Sequence, residues 1–136
     1  MYFLRGEGRF YQALGDLGPA QDPDAGARIA SQAAARLREQ YGPRLKHVVF
    51  HGSWVQGEAH EQSDVDLLLV LDRVGERREE YERLREVLSP LPHGPHPVDA
   101  VIVTERQWRT SDQRFYQKTR REGVLLRRGR GLRFVL

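Results

Sequence analysis

Short apolar runs alternate with longer amphipathic ones along this chain, the pattern of strands set between helices. Three runs read as strands: residues 46–51, residues 65–71, and a stretch from Pro97 to Val103 that holds Asp99. The second is apolar on both faces, as expected of a central strand covered on each side. Asp22-Pro23 offers an N-cap and a first-turn proline for a helix running to about Tyr41, with Ile29, Ala33, Leu37 and Tyr41 on one face; Gly42-Pro43 ends it. A second helix is expected from Gly75 to Leu88, turning Tyr81, Leu84 and Leu88 to the sheet and pairing Glu79 with Arg83 at i,i+4, its remaining charges being solvated. The proline-rich segment Ser89–Pro97 brings the chain back. A third helix, from about Ser111 to Glu122, should present Phe115 and Thr119 inward before Gly123 caps it. Val124-Leu125-Leu126 and a hairpin turn from Arg127 to Phe134 lead into a final short strand. Residues 1–21, where Phe10, Leu14 and Leu17 suggest at most a short helix, read as an N-terminal extension ahead of a domain at 22–136.

A length of 136 residues suits one domain and one core. At this length a second catalytic domain is not expected. There are no cysteines, which excludes disulfides and thiolate zinc sites. No run has the length of a membrane span and the N-terminus lacks the apolar centre of a signal peptide, so a cytoplasmic protein without membrane contact is expected. Charge is unevenly placed: Arg106–Arg133 holds ten Arg or Lys against two acids, while the rest of the chain is net negative. That segment reads as a solvated surface, a phosphate-attracting rim or a docking face. Nucleic-acid binding is not expected, because no aromatic-interleaved basic motif accompanies the charge.

The candidate chemistry lies between the first two strands. Gly52-Ser53 is followed, ten residues on, by Asp64-Val65-Asp66 at the mouth of the second strand. Residues i and i+2 of a strand share a face, so Asp64 and Asp66 converge. Two bare carboxylates about 4 Å apart repel by roughly 4 kcal/mol at an effective dielectric near 20. A hard cation relieves that repulsion, and oxygen-only ligands suit Mg²⁺. Gly52 lets a phosphate approach the backbone, and Ser53 adds a hydroxyl and an N–H at the start of a helical turn. Ser63, beside Asp64, joins them as a candidate phosphate contact. Asp99 is the one acid in its apolar run, where an uncompensated charge would be expensive. Placed on a neighbouring strand, it would complete a three-carboxylate set able to bridge two cations.

Gly52-Ser53, ten residues, Asp64-Val65-Asp66 and the strand-borne Asp99 together resemble the minimal nucleotidyltransferases of the DNA polymerase beta superfamily, over roughly Lys46–Leu126. The resemblance implies an α/β (α+β) fold, a small mixed sheet backed by helices. It also implies a metal-dependent transfer of a nucleoside monophosphate, AMP from ATP, to a hydroxyl, with Asp64, Asp66 and Asp99 as catalytic and metal-binding residues for two Mg²⁺ ions. Many small members are antitoxins paired with an all-helical HEPN toxin, and some adenylylate it, so a HEPN-type partner is the acceptor it points to. The alternatives are a non-catalytic antitoxin that covers its toxin and a small-molecule transferase of the aminoglycoside type.

One departure stands out: where members often carry a basic residue after Gly-Ser, this chain has Trp54-Val55-Gln56-Gly57, so an arginine from elsewhere would have to substitute. Trp54 could stack on a base or simply pack. His51 and His60 are possible minor contacts to the phosphates. His93 and His96 form a loop pair better read as solvent-exposed than as metal ligands.

Overall fold

Strands β1 (Leu45–His51), β2 (Val65–Leu71) and β3 (Val98–Thr104) form the centre of a mixed sheet in the order β3-β2-β1-β4-β5, the last two being β4 (Val124–Leu126) and β5 (Phe134–Val135). The computed structural model describes residues 22–91, 96–127 and 134–135, so the extension at 1–21, His93 and the turn before Phe134 lie outside the described residues. β1 runs antiparallel to β2 and β4, and β4 to β5. β2 and β3 are parallel and therefore need a crossover, which helix α3 (Arg77–Leu88) supplies. This is the mixed sheet backed by helices that the resemblance implied.

Alternation along the strands sorts two apolar layers. Leu67, Leu69 and Leu71 of β2 join Val48 and Phe50 of β1 against helix α1 (Ala25–Tyr41) and α3, which contribute Ala30, Ala33, Leu37, Tyr41, Leu84 and Val87. The opposite face of β2 packs Leu68 and Val70 with Val49 and Val103 under Trp108 and Tyr116. Those two aromatics come from α4 (Glu105–Thr110) and α5 (Arg114–Glu122). The alanines of α1 let its backbone lie close to the sheet. In its first turn a Cβ on Gly26 would sit 2.3 Å from Trp54 Cδ2, so α1 bears directly on the loop after β1. Among the described residues no helix is long and apolar enough to cross a membrane.

The structure corrects four local expectations. Helix α1 starts at Ala25 rather than Pro23, because the Asp22 carboxylate accepts the Asp24 N–H at 3.0 Å and pairs with Arg28, closing a turn ahead of the helix. In α3, Glu79 does not pair with Arg83: Arg83 donates to the Gln40 carbonyl at 3.0 Å and lies over the Tyr41 ring, while Arg78 and Glu82 form the i,i+4 pair at 3.5 Å. The six-residue α4 was not anticipated, although Thr104 and Gln107 form a capping box at its start. Phe115 is 41% exposed instead of facing inward, whereas Thr119 is buried.

One α3 charge is also not solvated. Glu80 is 7% exposed and receives the Arg44 guanidinium and the Gly75 N–H, the latter at 2.9 Å. Burial pushes its carboxyl up, but these donors outweigh it and hold the group below its ordinary value. Arg44→Ala would strand a buried carboxylate, and an expected loss of about 2 kcal/mol should appear as a lower urea midpoint, partly recovered by adding Glu80→Gln.

Candidate functional site

At the end of β1 the backbone turns through Gly52, whose φ of 88° and ψ of −157° belong to a region that essentially only glycine adopts. The next four residues, Ser53–Gln56, form the single helical turn α2, with the Val55 and Gln56 N–H groups donating to the Gly52 carbonyl at 3.1 Å each. The first N–H groups of such a turn have no partner within it and remain for an acceptor. Gly52 is also pressed against an acid: a Cβ there would lie 2.2 Å from Asp66 Oδ2. The Gly-Ser turn and the Asp-Val-Asp strand thus meet in space as their spacing implied.

Strand register builds the rest. His51 of β1 lies opposite Asp66 of β2, and Asp66 opposite Asp99 of β3, so the three form one row across the sheet. That row continues the face carrying Val49, Leu68 and Val103, at the point where the apolar layer under α4 and α5 gives out. Asp66 is half-buried. Burial first, then the neighbouring Asp99 and Asp64 carboxylates, push its carboxyl from an ordinary 3.8 up to about 6. Asp99 itself is exposed on its edge strand, so the expectation that burial made its charge expensive does not hold; its place beside Asp66 comes from register.

An open cleft of about 1040 Å³ fronts this row, lined by Gly52, Ser53, Ser63, Asp64 and Asp66 from the motif. It is also lined by four residues that sequence reasoning missed in this role: Glu58, Gln62, Lys118 and Glu122. Lys118 and Glu122 reach the cleft only through the docking of α5, which no local pattern encodes. Asp99 lies outside that lining, one strand over. Ser63 is buried, its Oγ accepting the His60 N–H at 2.8 Å and its carbonyl 2.9 Å from His96 Nδ1, so it braces the loop as well as facing the cleft. Gln56 Nε2 donates to Glu122 Oε1 at 2.7 Å.

The remaining candidates fall mainly into structural places. Trp54 packs on Gly26 and meets the His96 ring edge-on at 4.9 Å, which is packing rather than a stacking platform. Half-buried His51 stands edge-on to Phe115 at 5.8 Å; burial lowers its pKa, and its Nε2 has no partner among the described residues. His60 lines the cleft, with Nδ1 accepting the Gln62 N–H at 3.2 Å.

The chemistry of the donor set suits a hard divalent cation. It consists of carboxylate oxygens, one of them already raised by burial and by the repulsion of its neighbours, beside a backbone turn with no side chain to obstruct a phosphate. Among the described residues no three acids or histidines are already gathered closely enough to hold an ion. Asp64 and Asp99 are both exposed, so rotating them onto a cation displaces no packed neighbour.

The sequence profile of the nucleotidyltransferase domain family matches residues 30–124, from within α1 to the first residue of β4. A provisionally assigned nucleotidyltransferase from Sulfolobus solfataricus is similar in structure, with a TM-score of 0.51 and 22% identity over 76% of this chain and 81% of its own. A toxin-antitoxin structure with AMP-PNP reaches a TM-score of 0.51 at 21% identity over 70% of each chain. The toxin-antitoxin MntA-HepT gives 0.47 at 16% identity, over 72% of this chain and 69% of that one. No curated protein matches the sequence. At these identities the structural likeness speaks for the fold, and the profile speaks for the family. Because that profile takes in well over half of the chain, the protein belongs to the nucleotidyltransferase domain family, within the DNA polymerase beta superfamily.

Proposed function

We propose that this nucleotidyltransferase moves AMP from ATP to a hydroxyl on a HEPN-type helical partner protein, with Asp64, Asp66 and Asp99 holding two Mg²⁺ ions. The observation that carries the reading is the register row in which Asp66 stands beside Asp99 and presses against Gly52, with Asp66 raised to about 6 by burial and its acidic neighbours. A fold alone has no use for such repulsion, whereas a site that takes up cations does. When bound, the ions would neutralise triphosphate charge and make the acceptor hydroxyl easier to deprotonate. Gly52 and the Ser53 hydroxyl and N–H would hold the β and γ phosphates, leaving the α phosphate open to in-line attack by the acceptor oxygen as pyrophosphate departs. The choice of donor and partner is supported by the similar fold of the toxin-antitoxin structure solved with AMP-PNP.

A second reading, an antitoxin that only covers its toxin, is favoured by one observation: among the described residues no three acids or histidines form a closed set that could hold an ion. Calorimetric titration of ATP with and without Mg²⁺ separates the two. Binding that requires Mg²⁺ and is lost in Asp64→Asn/Asp66→Asn is the expected result, and the absence of any Mg²⁺-dependent binding would overturn the catalytic reading.

A further inference from the structure

The cleft is short of positive charge. Its lining carries four carboxylates, on Glu58, Asp64, Asp66 and Glu122, and among the described residues a single side-chain cation, Lys118. The basic residue that the resemblance expects after Gly-Ser is absent, Gln56 standing in that loop. Helix α5 places Glu122 four residues after Lys118, the spacing at which two opposite charges ordinarily pair. They do not pair here. Glu122 instead takes Gln56 Nε2 on Oε1 at 2.7 Å and Arg121 Nη2 near Oε2 at 3.5 Å. Lys118 is exposed, and among the described residues it has no hydrogen bond or ion pair. It also lines the smaller cavity that His51, Gly52 and Phe115 share, so Lys118 and Gly52 line both spaces together.

We propose that Lys118 supplies the phosphate-binding cation missing from the Gly-Ser loop, contacting the terminal phosphates of a nucleoside triphosphate, and that Gln56 is a positioning residue that keeps Glu122 from neutralising it. The inference rests on the nucleotidyl-transfer reading. A lysine suits the task because it is a compact point charge on a flexible stem, and, being exposed, it loses little solvation while the cleft is empty. Gln56 then has a purpose in its own loop: it has exchanged the family's cation for a donor that occupies the neighbouring acid.

The test uses Mg²⁺ with α,β-methylene-ATP, which cannot release pyrophosphate, titrated by calorimetry into the full chain. Lys118→Ala should weaken binding by about tenfold or more, the usual worth of a charge-assisted contact. Gln56→Ala should weaken it by about threefold, since Glu122 is then free to turn to Lys118, and adding Glu122→Gln should restore it. Gln56→Arg should rescue Lys118→Ala by returning a cation to the loop. Thermal melts should leave all four variants folded, because Lys118 and Gln56 are exposed. If the wild-type chain does not bind the analogue, the nucleotidyl-transfer reading fails and takes this inference with it. If the wild type binds and Lys118→Ala binds equally well, only the role of Lys118 is overturned. A loss in Lys118→Ala that Gln56→Arg does not repair would likewise overturn it, marking the lysine as a support of the α5 wall.

Discussion

A Gly52→Ala protein is expected to fold and to lose nucleotidyl transfer by roughly two orders of magnitude or more. Two effects combine at this position. The backbone angles are ones an L-residue adopts only under strain, at a cost of about 1–3 kcal/mol. The new methyl would also lie 2.2 Å from Asp66 Oδ2, and since the carboxylate is the more easily moved of the two, it must swing away. The result would be a chain with its β1–β2 pairing intact and its central ligand misdirected. Thermal melts with and without Mg²⁺, together with label incorporation from α-labelled ATP, read the two effects separately. Wild type should gain stability from the ion and the variant should not. Full activity in Gly52→Ala would disprove the contact between the Gly-Ser turn and the acid strand.

Asp66→Asn should do the opposite to stability while also removing activity. The Asp66 carboxyl is raised from 3.8 to about 6, so between those values the folded chain retains a proton that the unfolded chain has released. Stability therefore falls as pH rises through that window and stays at the lower level above it. The full shift corresponds to about 3 kcal/mol, and solvent screening of this half-exposed group reduces it to about 1–2 kcal/mol. Without metal at pH 7, the asparagine variant should be more stable than wild type by that amount, and its stability should lack the decline between about pH 4 and pH 6. Transfer should drop by about a thousandfold. Urea unfolding across pH gives the first quantity and the labelled-ATP assay the second. A variant less stable than wild type at pH 7 would show that the acid is not under strain in the metal-free fold.

What the sequence revealed and what it hid divide along the range of the interactions. β2 was readable because its apolar run is interrupted once, by Asp66, and Gly-Ser at a fixed remove from Asp-Val-Asp is a local signature. The start of α1 was misplaced because Asp22, Pro23 and Asp24 offer two carboxylates within three residues, and only geometry decides which caps a helix and which closes the preceding turn. Helix α4 lacks an apolar period, its burial resting on Trp108 against His47, so the cue was the Thr104–Gln107 box. Phe115 and Thr119 share a helical face, yet Phe115 meets His51 at the end of β1 and stays exposed, whereas Thr119 is buried. Glu80 looks like its neighbours in a run of charges until Arg44, from another element, is brought beside it. Lys118 is the extreme case: nothing in its surrounding sequence refers to Gly52.

Asp99 also bears on solubility. β3 is an edge strand, and Val-Asp-Ala-Val-Ile-Val-Thr would be a sticky one. Half of its outer rim is already occupied by α3: the Ile102 N–H donates to the Tyr81 hydroxyl at 2.8 Å and the Ile102 carbonyl accepts Arg77 at 3.2 Å. The other half carries Asp99, the strand's only charge, close to Val101, which is 38% exposed. The carboxylate proposed to bind metal is therefore also a gatekeeper that discourages two such edges from zipping together, and neutralising it should remove a proposed ligand and a safeguard against self-association in one step.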